Sequence, residues 1–131
     1  MRQVYYEEAD CIVYWDTDEK WIYVDWKNKP SIGTVKNGCE EMLKLMKEKK
    51  CNKVLNDNTN VTGPWSGASE WVAKDWFPRM VSSGLKKFAW IQSRHSALSR
   101  ISAQRSESES KNSDVIHFFN GEAEAAKWLK R

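Results

Sequence analysis

Residues 114–129 read DVIHFFNGEAEAAKWL, and this stretch decides the fold class. Residues 115–119 are a short apolar run rich in β-branched and aromatic side chains, which predicts a strand. Asn120 and Gly121 break it and supply the cap. Glu122 and Glu124 then fall in a first helical turn, and Ala125, Trp128 and Leu129 lie along one side at helical spacing. The order strand, cap, amphipathic helix is the unit of an α/β fold.

The same grammar recurs upstream. Residues 11–15 (CIVYW) and 21–26 (WIYVDW) are strand-like runs separated by the polar residues 16–20, which predicts an antiparallel hairpin. Residues 4–6 add a short flanking strand. Pro30 breaks the pattern and Ser31 caps a helix whose apolar positions, Ile32, Val35, Cys39, Met42, Leu43 and Met46, step by threes and fours. Residues 53–55 form a short strand that runs into a dense turn, Asn56-Asp57-Asn58-Thr59-Asn60. Residues 65–81 read as a second helix that Pro78 kinks or ends, with Gly84 as its stop. Residues 87–91 (KFAWI) are the next strand. Residues 93–105 form a weaker helix carried by Ala97, Leu98 and Ile101, and residues 106–113 (SESESKNS) read as an exposed mobile loop. The order β-β-α-β-α-β-α-β-α demands mostly parallel pairing, with antiparallel character at the hairpin side.

Bulk properties bound the class. The chain has 131 residues, 40% hydrophobic and 30% charged, which suits a single domain over residues 1–131. The N-terminal MRQVYYEEADC holds no apolar signal-like run, which predicts a cytoplasmic protein without stable membrane insertion. Cys11, Cys39 and Cys51 are odd in number and far apart, so they read as thiols, with Cys11 and Cys39 in the core. Residues 1–26 carry seven acids against two bases, and residues 27–111 carry sixteen bases against eight acids. The basic cluster Lys47, Lys49, Lys50 and Lys53 sits at a helix end that the dipole favours, and it does not point to nucleic acid.

Several of these pieces together resemble the STAS-like family (sulfate transporter and anti-sigma-factor antagonist), in its small stand-alone bacterial branch. They are Tyr23-Val24-Asp25-Trp26-Lys27, the Lys53–Asp57 strand end, Trp76-Phe77-Pro78-Arg79, residues 84–90 (GLKKFAW), Phe118-Phe119 and residues 124–129 (EAAKWL). The resemblance implies a β-α superhelix around a mixed sheet with about four helices. It implies an interaction or regulatory role, and the related folds include lipid-binding domains. The phosphoacceptor signature of anti-sigma antagonists is an Asp-Ser-Ser-Gly type stretch. The corresponding residues here, 61–69 (VTGPWSGAS), contain Ser66 and Ser69 but lack the acidic partner and the paired serines.

Chemistry-bearing residues concentrate at two strand ends. Asn56, Asp57, Asn58 and Asn60 follow one predicted strand, and Ser93, Arg94 and His95 follow the next, at the edge where open α/β sheets collect ligands. They form either a small polar ligand site or ordinary turn and capping chemistry. An enzymatic reading requires Asp57, Arg94 and His95 to converge on one substrate atom. Asp57 also resembles the phosphoacceptor of receiver domains, but Asn120-Gly121 stands where those domains carry lysine. No cysteine or histidine pair has zinc spacing and no cofactor is expected; His117, between Ile116 and Phe118, reads as a core histidine.

Eight tryptophans are the compositional oddity. Trp15, Trp21, Trp26 and Trp90 lie on strands and read as core. Trp65, Trp71, Trp76 and Phe77 crowd one helix, and a single helix face cannot bury all four. They are expected either at an interaction surface for a protein partner or a second copy, or turned under the sheet at the Pro78 kink. The leading expectation is thus a non-enzymatic interaction or regulatory module that binds a protein partner or a second copy of itself. The alternative is a carrier whose small apolar ligand or lipid occupies a cavity beneath the Trp65–Met80 helix.

Overall fold

The computed structural model describes residues 1–131 apart from the side chain of Ser66. Six strands form one sheet: β1 (Arg2–Glu8), β2 (Cys11–Asp16), β3 (Trp21–Asn28), β4 (Lys53–Val61), β5 (Lys87–Ile91) and β6 (Ile116–Phe119). They lie side by side in chain order, β1-β2-β3-β4-β5-β6. The first three pair antiparallel, and β3 through β6 pair parallel. The fold is therefore α/β with a mixed sheet and an N-terminal hairpin. β1 is an edge strand, blunted by a register shift between Val4 and Tyr6 and by Glu7 and Glu8.

Parallel strands laid in sequence order, each joined by a right-handed crossover, place the connecting helices on one face. That face packs α1 (Ile32–Lys49), α2 (Ser66–Trp71), α3 (Phe77–Ser82) and Ala103 of α4 (Ala97–Glu109) into one core. The last helix, α5 (Glu122–Lys130), covers the opposite face through Ala125 and Leu129 against Leu55, Ala89 and Ile91. Ser31 caps α1 by accepting from the Thr34 amide at 3.1 Å. Gly84, at φ 115°, ends α3, and the Leu85 amide reaches back to the Met80 carbonyl at 3.0 Å. The cap of α5 is Gly121 with no side-chain bond; Glu122 and Glu124 occupy its positive first turn, and Arg2 holds Glu122 at 2.9 Å.

Four expectations are corrected. Residues 56–60 are not a turn but the second half of β4, where the ladder to β3 continues as far as Asn28↔Val61. Residues 106–109 are not loop but the last turn of α4, where the fully buried Ser106 hydroxyl donates to the Ser69 carbonyl at 3.0 Å. Leu98 and Ile101 do not carry α4 into the core. They are 58% and 57% exposed, while Ser99, Ser102, Ala103 and Ser106 face inward, because α4 rests on α2 and not on the sheet. His117 is exposed on the short edge strand and stacks on Trp128 at 4.5 Å.

The Pro78 region is resolved by a π-helical turn, Val72–Trp76, between α2 and α3. Pro78 has no N–H to give the preceding turn. The Phe77 amide instead bonds the Val72 carbonyl five residues back, and the helix continues without a break. The buried positions Ala68, Ser69, Val72, Ala73, Trp76, Phe77 and Met80 follow a strict four-residue repeat. An α-helix would rotate that repeat off the core by roughly 40° per step. The wider turn takes up the drift.

Gly38 marks where α1 sits closest to the sheet. Alanine in a helix interior is normally worth ~1 kcal/mol over glycine. Here the added Cβ would lie 2.7 Å from Trp26 Cη2 and 2.8 Å from Cys11 Sγ. Both neighbours are buried, and the Trp26 ring is held by a hydrogen bond to Asn56. Gly38→Ala is expected to lower stability by about 1–3 kcal/mol in urea unfolding, reversing the usual sign. A gain in stability would show that the ring can tilt away.

Candidate functional site

Because side chains alternate along a strand, β4 divides the predicted site residues between the two faces of the sheet. Asn56 and Asn58 face the helical layer, whereas Asp57 faces the α5 side. Toward the helices a relay runs through buried groups. Trp26 Nε1 donates to Asn56 Oδ1 at 2.8 Å, and Asn56 Nδ2 donates to Asn58 Oδ1 at 3.1 Å. On the other side Asp57 accepts from the Tyr23 hydroxyl at 2.6 Å, from the Thr59 amide at 2.9 Å and from the Thr59 hydroxyl. Burial, then the bond to Asp57, pushes the Tyr23 hydroxyl far above its ordinary range. Burial likewise raises the Asp25 carboxyl, outweighing Lys27 beside it, with Asp57 as its strand neighbour in register.

The residues after β5 do not join Asp57. Ser93 is a structural hydroxyl: it donates to the Val61 carbonyl at 2.6 Å and accepts from the His95 and Ser96 amides at 3.2 and 3.1 Å. Arg94 and His95 are exposed, and the Arg94 amide donates to the Thr59 carbonyl of β4 at 3.2 Å. Asn60 is exposed at the end of β4. Among the described residues no hydrogen bond or ion pair joins Asp57 to Arg94 or His95; the buried carboxylate is held by Tyr23 and Thr59 instead. Turn chemistry describes Ser93, and strand chemistry describes Asp57.

The aromatic residues of the second helix are also relocated. Trp65 and Trp76 are 9% and 1% exposed and Phe77 is fully buried; only Trp71 is part-exposed, with the Arg79 guanidinium 5.9 Å from its ring. One helix face does not bury all four, and of the two expected arrangements the inward turn near Pro78 is the one the structure has. Trp65 precedes the helix and stacks on Trp90 at 5.8 Å, while the π-turn brings Trp76 and Phe77 inward together. The expected aromatic interaction surface does not exist in this form.

What they line instead is a small, partly open cavity of about 40 Å³ between α1, the π-turn and the sheet, much smaller than the carrier reading requires. Its walls are aromatic: Trp26, Trp65, Trp76, Phe88 and Trp90, with Asn56 and Asn58 as the polar floor. It holds roughly three waters or a ligand of a few non-hydrogen atoms, and it does not hold an acyl chain. Trp76 Nε1 is satisfied by the Cys39 carbonyl at 2.7 Å. Trp65 Nε1 and Trp90 Nε1 are buried with no hydrogen-bond partner. A buried indole N–H can only donate, and such a group is rarely left unpaired. Sequence reasoning missed Trp26 and Trp90 as site residues. The signal was the two-residue alternation of Val54, Asn56 and Asn58 beside that of Phe88 and Trp90, hidden once β4 was cut short.

Among the described residues no group of three or more His, Cys, Asp or Glu side chains is placed to share a metal ion. No helix is long and apolar enough to cross a membrane. Compared with known proteins, the chain matches no family model, no curated protein and no solved structure.

Proposed function

We propose that this chain is a non-enzymatic, cytoplasmic binding module whose site is the tryptophan-walled cavity. Its ligand is a small uncharged molecule carrying a hydrogen-bond acceptor oxygen on an apolar body. The reading draws on the STAS-like resemblance for a binding role, and on one observation for its place: the unpartnered indole N–H groups of Trp65 and Trp90. Both tryptophans line the cavity together with Asn56 and Asn58. The aromatic walls favour an apolar body, and two free donors favour an acceptor over a donor or a cation.

Titration with acetone and N-methylacetamide, followed on ¹⁵N-labelled indole resonances assigned with Trp65→Phe and Trp90→Phe, tests it. Both resonances are expected to shift saturably while that of Trp15 stays still. Xenon probes the cavity without offering an acceptor. Xenon binding with no response to either carbonyl compound would overturn the acceptor reading. Silence toward all three probes would overturn the site.

A further inference from the structure

We propose that the cavity selects ligands that accept hydrogen bonds and have none to donate: a ketone, aldehyde or ester before the alcohol of similar shape. The inference rests on the binding role proposed above and adds the class of molecule that the site admits. The direction of the polar relay sets this class. The Trp26 indole can only donate, so Asn56 must turn Oδ1 toward it, which it does at 2.8 Å. The Asn56 amino group is thereby turned the other way, where it donates to Asn58 Oδ1 at 3.1 Å. What Asn58 has left for a ligand is its own amino group. A donor-only ring at the head of the relay thus fixes both amides, and the free end of the relay is again a donor.

The rest of the wall is biased the same way. Among the residues that line the cavity only Asn56 and Asn58 carry side-chain oxygens, and both oxygens are taken. Two backbone carbonyls of lining residues are occupied as well, that of Cys39 by Trp76 Nε1 at 2.7 Å and that of Val61 by the Ser93 hydroxyl at 2.6 Å. Donors remain. Trp65 Nε1 and Trp90 Nε1 are buried without a partner, on rings stacked 5.8 Å apart. Burial holds the Cys39 thiol well above its ordinary range, so it too stays an S–H. A carbonyl oxygen, with two lone pairs, can satisfy two of these donors and brings none of its own. An alcohol of similar size brings a hydroxyl hydrogen that finds no free side-chain oxygen there, and a buried donor left unpaired is costly. Trp26 is the positioning residue of this selectivity and acts through Asn56 and Asn58.

Acetone and isopropanol are close in size and differ in their one polar group, so parallel titrations followed on the Trp65 and Trp90 indole resonances test the proposal. The wild-type chain is expected to bind acetone at least about tenfold more tightly than isopropanol, the effect of one stranded hydroxyl hydrogen. In Trp26→Phe no indole dictates the orientation of Asn56. The relay can then reverse and Asn58 can offer its oxygen, so the preference for acetone is expected to fall several-fold. A role of Trp26 in packing alone would change both affinities together and leave their ratio as it was, and that result would overturn the relay as its cause. Equal affinities for the two probes in the wild-type chain would overturn the selectivity and leave the binding site standing. No saturable response to either probe would remove site and selectivity together. The wild-type comparison needs no variant, so it decides the selectivity even where Trp26→Phe fails to fold.

Discussion

Truncating Trp76 to alanine is expected to destabilise the fold by about 3–5 kcal/mol, the range for removing a buried large aromatic. The ring is 1% exposed and forms the hinge of an aromatic cluster, 4.9 Å from Phe77 and 5.9 Å from Phe88. Phe77 and Phe88 in turn meet edge to face at 4.9 Å. The loss has a second part. Trp76 Nε1 bonds the Cys39 carbonyl, which ties the π-turn to α1. Trp76→Phe keeps most of the packing and loses that bond, so it should fall between wild type and alanine in urea unfolding. If alanine costs under about 1 kcal/mol, the cluster collapses freely around the gap, which is the less costly end of cavity formation.

Asn56→Leu is expected to cost about 2–4 kcal/mol, although it replaces a polar core residue with an apolar one. Leucine would leave Trp26 Nε1 without its acceptor and Asn58 Oδ1 without its donor, and each stranded buried group costs ~1–3 kcal/mol. A double-mutant cycle with Trp26→Phe isolates the first loss. Phenylalanine has no N–H to strand, so the two changes together should cost less than their sum by ~1 kcal/mol or more. Strict additivity would mean that water replaces the amide at the indole.

The succession of strands and helices along the chain was legible because hydrophobic periodicity is local. Residues 11–15, 21–26, 87–91 and 115–119 announce themselves by composition and their bounding turns. The site was less legible for reasons visible in particular residues. Asn56 to Asn60 have the composition of a turn, yet β4 continues through them because they pair with β3 and pack among aromatic side chains. Tertiary context overrode local propensity. The second helix was located, but the inward turn of Trp76 and Phe77 stayed one of two alternatives because periodicity analysis assumes 3.6 residues per turn. Its four-residue repeat makes sense only with the π-turn that Pro78 imposes. For α4 the pattern was read correctly as apolar at Leu98 and Ile101 and assigned to the wrong side. Nothing within residues 97–109 reveals that the neighbouring surface is Ser69 and the Trp65 amide, which want hydroxyl groups.

The sequential sheet also has a temporal meaning. As the chain leaves the ribosome each new strand finds its mate already in place at the growing edge, so folding can advance from the N-terminus with little waiting for distant partners. The α5 side does not share this convenience. Trp21, Tyr23, Leu55, Ala89 and Ile91 accumulate on it from early in synthesis, and the helix that shields Leu55, Ala89 and Ile91 is Glu122–Lys130. Nascent chains stalled before that helix emerges carry a bare aromatic and aliphatic plane, a natural foothold for chaperones and a hazard for aggregation. Covering of that face thus waits for α5, which follows every strand of the sheet.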